Sequence, residues 1–124
     1  YYAPIAAGYN INGYDMPIVE RMCQQYGPTH AKNGRQGIFN PIYTIDVMQH
    51  IYCWFENNQE VKKYNMDYMR DYFGMSQASK DNAHDALQDV KDTANLMIKF
   101  MKLQRTLLKK VNFEKTFANG EIYV

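Results

Sequence analysis

Asn82-Ala-His84-Asp85-Ala-Leu-Gln-Asp89-Val-Lys-Asp92-Thr-Ala-Asn-Leu-Met97 is the stretch on which the reading of this chain turns. Asp81 or Asn82 can cap a helix here, and Leu87, Val90, Ala94, Met97, Met101, Leu107 and Leu108 supply its apolar stripe to about position 111. A histidine stands at the mouth of that helix and an aspartate follows five residues later. Residues five apart lie about 140° apart on an ideal helix, so both reach one site only if His84 sits on or before the first turn. A carboxylate that can hold a divalent ion then lies beside an imidazole that can take a proton from metal-bound water. Metal-assisted phosphodiester hydrolysis needs that pair of groups. The plainer reading is that Asp85, Asp89 and Asp92 share one face near a helix N-terminus and complement its dipole, with Asp92 the outermost.

Working toward the N-terminus, residues 5–9 (Ile-Ala-Ala-Gly-Tyr) form a short apolar run before an Asn-Ile-Asn-Gly turn, the pattern of a buried strand. Tyr14, Ile18, Met22 and Tyr26 then recur at helical spacing, with Val19 and Cys23 beside them, and Asp15 and Pro17 suit a first turn. Asp15 therefore sits at a strand's carboxyl end, where open α/β sheets place their ligands; its alternative role is a helix-dipole partner. Gly27-Pro28 ends that helix, and residues 29–38 read as a polar, glycine-rich loop. Residues 39–45 look like a second strand, after which Asp46 can cap a helix over 47–57. Asn65 or Asp67 opens a short helix that Gly74 closes. The order strand–helix–strand–helix–helix–helix predicts an α/β fold, with residues 1–111 as its body and 112–124 as a polar tail or linker.

Composition sets limits but names no chemistry. The 124 residues are 46% hydrophobic and 22% charged, with a net charge of +1. No apolar run approaches the roughly 20 residues of a membrane span, and no signal peptide is visible, so a cytoplasmic location is expected. Cys23 and Cys53 have no neighbours that resemble a zinc pair and are read as reduced, semi-buried thiols. Lys62, Lys63, Lys99, Lys102, Arg105, Lys109 and Lys110 could track phosphates, but they also fit the solvated faces of amphipathic helices.

Taken in order, two segments resemble the second and third motifs of the DnaQ-like (DEDDh) 3′–5′ exonucleases. Tyr9-Asn10-x-x-x-Tyr14-Asp15 is similar to the second, and His84, four residues, Asp89, then Thr93-Ala94 to the third. Between them, Tyr43-Thr-Ile-Asp46 resembles the strand ahead of the middle helices, and Asn65-Met-Asp-Tyr-Met-Arg-Asp-Tyr-Phe-Gly74 the helix that follows. The resemblance spans about residues 5–103. It implies a ribonuclease H-like exonuclease fold, truncated at its N-terminus, of which about two strands and four helices are present. It also implies two divalent cations (Mg²⁺ or Mn²⁺) in the complete domain and the 3′ end of single-stranded DNA or RNA as partner. On the same ground Asp15 and Asp89 would be metal ligands, His84 the general base, and Asn10 and Tyr14 supports for the terminal nucleotide. Asp46 is read as a cap and not a ligand.

The family's first motif, Asp-x-Glu, occurs nowhere in these residues. The expectation is that the chain begins inside the domain and is inactive alone, because two ions bring four positive charges and Asp15 and Asp89 offset half. Ile18, Met22, Ile51, Trp54, Val90 and Met97 would then lack a full sheet to cover them. Either missing strands or a second copy of the chain would have to supply that cover. Two rivals stand beside this reading: a catalytically dead nucleic-acid-binding or interaction module on the same scaffold, and an HD-type phosphohydrolase built on His84-Asp85, with His50 as a further ligand.

Overall fold

A computed structural model describes residues 3–110. The chain divides into two compact units, Tyr1–Thr93 and Ala94–Val124. The proposed tail at 112–124 lies outside the described residues.

In the first unit, β1 (Ala6–Gly8) pairs in parallel with β2 (Thr44–Asp46), with Ala6 opposite Thr44 and Gly8 opposite Asp46. Parallel neighbours need a crossover, and α1 (Asp15–Tyr26) lies within it, giving a βαβ arrangement. Both strands are shorter than the sequence suggests. For the second the reason is local: Asn40 accepts the N–H groups of Ile42 and Tyr43 at 2.9 Å, which holds 40–43 in a turn ahead of β2. Gly8 is required where it stands, since a Cβ there would lie 2.2 Å from Cγ2 of buried Ile11.

Asp46 ends β2 and caps α2 (Val47–Phe55), accepting the Met48 N–H at 3.2 Å, as expected of it. Val47 and Ile51, one turn apart, are fully buried on α2, each contributing about 1.5–3 kcal/mol of apolar burial. Phe55 meets Tyr72 and Phe73 edge-on at 5.7 and 5.9 Å, tying α2 to α3 (Met66–Tyr72). Asn65 caps α3 through the Tyr68 N–H at 2.8 Å, and Gly74, at φ 62°, turns the chain out of it.

The count of four helices needs correction. Ser76 caps a further short helix, α4 (Gln77–Asp81), so five are present among the described residues. Asp81 and Asn82 accordingly end a helix and do not open one. The long α5 (Ala86–Lys110) begins later, where Asp85 accepts the Leu87 N–H at 3.0 Å. The α1 stripe is also less buried than its periodicity implies: Cys23 is buried, while Ile18, Met22 and Tyr26 are exposed. Trp54 and Val90 are exposed as well, but Ile51 is wholly buried and Met97 half-buried. Cys53 is exposed, so the two thiols differ in access. Within the second unit, the described helix buries Leu96 and Phe100.

Candidate functional site

The Asn10–Asp15 loop is built around a carboxylate 36 residues away. Asp46 is 3% exposed, and its Oδ1 accepts the Asn10 N–H at 2.9 Å while Oδ2 accepts the Asn12 N–H at 3.1 Å. Asn10 itself adopts φ 54°, a left-handed conformation that asparagine tolerates and that turns the chain from β1 toward α1. Its carbonyl accepts the Tyr14 N–H at 3.1 Å. Asp15 then opens α1 on an exposed first turn, and Tyr14 is 66% exposed. Alongside, Tyr9 donates its hydroxyl to the Tyr64 carbonyl, fastening the end of β1 to the approach to α3. Burial first, and the Asp46 charge second, hold the Tyr9 phenol well above its ordinary pKa, so it remains a donor.

The third-motif residues meet at the start of α5. His84 takes φ 71°, a left-handed turn just before the helix, and its backbone N–H donates to Asp89 Oδ1 at 3.3 Å. That turn meets the geometric condition that the five-residue spacing imposes: His84 stands outside the helix while Asp89 lies within its first turn. The His84 imidazole is exposed, and its Nε2 lies 3.1 Å from Asp67 Oδ2 on α3.

At the centre stands Arg70, which the sequence reading missed. Its side chain is 2% exposed, and each of its three nitrogens meets a different carboxylate. Nε donates to Asp92 Oδ2 at 2.8 Å, Nη1 to Asp67 Oδ1 at 3.0 Å, and Nη2 to Asp89 Oδ1. Asp92 is equally buried and also accepts from Ser79 at 3.0 Å and Gln88 at 2.8 Å. Burial alone would push the Asp92 carboxyl up. The hydrogen bonds from Arg70, Gln88 and Ser79, with the guanidinium charge, outweigh burial and leave it below its ordinary value. Asp92 is thus no solvated dipole partner, as its outer place on the acidic face suggested, but half of a buried ion pair.

Asp67 and Arg70 stand one turn apart on α3, and the one buried acid of the α5 first turns, Asp92, is paired by that guanidinium.

The structure therefore joins the His84 backbone to Asp89 and its imidazole to Asp67, and adds Arg70 and Asp92. Among the described residues, no three His, Cys, Asp or Glu side chains form a group that could hold a metal ion. Asp15, His84 and Asp89 form no such group among them. On the third-motif side, the positive charge among the carboxylates is a guanidinium. The residues present do not by themselves fit a pair of divalent ions. Compared with known proteins, the chain matches no family model, no curated protein and no solved structure.

Proposed function

We propose that this chain is part of a DnaQ-like 3′–5′ exonuclease domain of ribonuclease H-like fold. Its role there is to contribute the second- and third-motif segments to hydrolysis of phosphodiesters at the 3′ end of single-stranded DNA or RNA. The observation that carries the reading is the parallel β1–β2 pairing around α1, together with a left-handed His84 whose backbone holds Asp89 at the mouth of α5. Both motif segments thereby sit where the chain turns from strand or loop into helix, with their acids at helix starts. In the complete domain two Mg²⁺ or Mn²⁺ ions would activate water and stabilise the leaving oxygen. Asp15 and Asp89 would be this chain's ligands and His84 its base, with Asn10 and Tyr14 beside the terminal nucleotide. The chain supplies two acids where the resemblance calls for four, so the 124 residues alone have no turnover.

A second reading has its own support: a binding module on this scaffold without catalysis, favoured by the engagement of Asp89 with Arg70. The test is hydrolysis of a 3′-labelled single strand with Mg²⁺ or Mn²⁺. The assay compares the 124 residues with a protein extended by whatever is encoded ahead of Tyr1. Release of nucleotides by the extended protein alone, lost in Asp89→Asn and kept in Asp85→Asn, supports the nuclease. Loss in Asp85→Asn instead points to the HD-type chemistry. Strand binding without hydrolysis in the extended protein leaves the binding module.

A further inference from the structure

We infer that Arg70 is a resident cation of the third-motif cluster, and that it keeps a divalent ion off Asp89 in this chain. The inference rests on the reading of Asp89 as a metal-side carboxylate. It goes further by assigning the charge that Asp89 meets when the chain stands alone.

Three features make the guanidinium a fixture and not a passing contact. It is 2% exposed, so it cannot swing into water without opening the fold. Its Nε is anchored by Asp92, also 2% exposed, which Ser79 and Gln88 hold from the other side. Its two remaining nitrogens are then aimed outward at Asp67 and Asp89, which are 54% and 41% exposed. The buried end fixes the geometry, and the exposed acids come to it.

The electrostatic consequence concerns Asp89. Its Oδ1 accepts from both Arg70 Nη2 and the His84 N–H, and among the described residues no donor falls on Oδ2. A cation approaching that oxygen meets a fixed guanidinium one carboxylate away, less screened than a surface charge because Arg70 itself is buried. With one positive charge shared among three carboxylates, the cluster is still anionic. Its field is nevertheless already focused on Arg70, and a divalent ion must share Asp89 with it.

The test is Mn²⁺ binding followed by paramagnetic broadening of backbone amides, with exposed Asp71 as an internal control for loose association. The variant is the double substitution Arg70→Gln with Asp92→Asn, which removes both buried charges together and strands neither. Circular dichroism and the Asn10 and Asn12 amide shifts report whether the fold is kept. We expect the wild-type amides of His84 and Asp89 to broaden no more than that of Asp71, and the double variant to broaden them at an Mn²⁺ concentration about tenfold lower, the scale on which groups neighbouring a ligand change ion affinity. Equal broadening in the two proteins overturns the inference, and so does a variant that broadens no more than wild type.

A second measurement needs no variant. Mn²⁺ should not raise the wild-type unfolding temperature above a control of matched ionic strength, and a specific rise would also overturn the inference. The nuclease reading fails on different evidence, the hydrolysis comparison above. An Mn²⁺ site at Asp89 in wild type would sink the resident-cation inference and leave that reading standing.

Discussion

Arg70 Nε and Asp92 Oδ2 meet at 2.8 Å with both side chains 2% exposed, a buried ion pair joining α3 to the start of α5. Removing Arg70 leaves Asp92 dry with no counter-charge, so Arg70→Ala should destabilise the fold by about 3–5 kcal/mol, while Asp92→Ala, which leaves Arg70 paired with Asp67 and Asp89, should cost less. Replacing both with apolar residues of similar volume should cost well under the sum of the two single changes. Asp67→Ala, at an exposed position, should cost no more than about 1 kcal/mol. Urea unfolding of the four variants measures all of this. A cost at Asp67 as large as at Asp92 would show that stability lies in the exposed arm of the network.

The same pair sets a pH dependence. The Asp92 carboxyl is lowered in the folded protein relative to its ordinary value. Folding is therefore favoured by its ionisation at any pH above the unfolded value of about 3.9. That contribution fades as pH falls from there through the folded value. Stability between pH 5 and 7 should be flat with respect to this group and should drop below about pH 4. In Asp92→Asn the drop should be shallower, read as denaturation midpoints across the acid range. An unchanged acid limb would assign the loss to other carboxylates.

Asp46 offers a separate lesion. Its carboxylate serves the Asn10, Asn12 and Met48 N–H groups at once, so Asp46→Ala removes a helix cap and strands two loop donors. The expected loss is about 2–4 kcal/mol, a cap of about 1 plus the cost of donors left without partners. Asp46→Asn should recover part of it, since the amide oxygen can still serve one or two of the three. Thermal unfolding of the two variants gives the order, and equal losses would mean that charge and not acceptor count is what the loop needs.

Ile18, Met22, Trp54 and Val90 are exposed at 36%, 47%, 41% and 65%, much apolar surface for a small chain to leave in water. The isolated chain should therefore self-associate with rising concentration, and Met22→Glu should weaken that association without loss of helix content. Sedimentation at several concentrations decides it. A monomer throughout the range removes the need for a covering partner.

What the sequence made legible was what neighbours in the chain determine. Asn65, Gly74 and Asp46 end or begin helices through bonds to residues two or three positions away, and their types announce those roles. The His84–Asp89 approach was legible for the same reason, being a question of one turn. Arg70 was not, because its partners Asp89 and Asp92 lie 19 and 22 residues away on another helix. Nothing in Met-Asp-Tyr-Met-Arg-Asp-Tyr says which face of α3 is dry. For Asp15 the helix was predictable, since the strand before it and its place in a first turn are local features. The exposed α1 stripe carries the same lesson, since periodicity identifies an apolar face and not what lies against it.

The attachment of Asn10 and Asn12 to Asp46 gives the fold a built-in clock. Those two amides have their acceptor 36 and 34 residues further along the chain, so their protection from solvent exchange cannot develop until the long excursion through α1 has closed. A strand of three residues has little to hold it once that carboxylate lets go. The segment carrying Asn10 through Asp15 should thus be last to lock during refolding and first to loosen under stress, with two nitrogen-bound protons as its timekeepers.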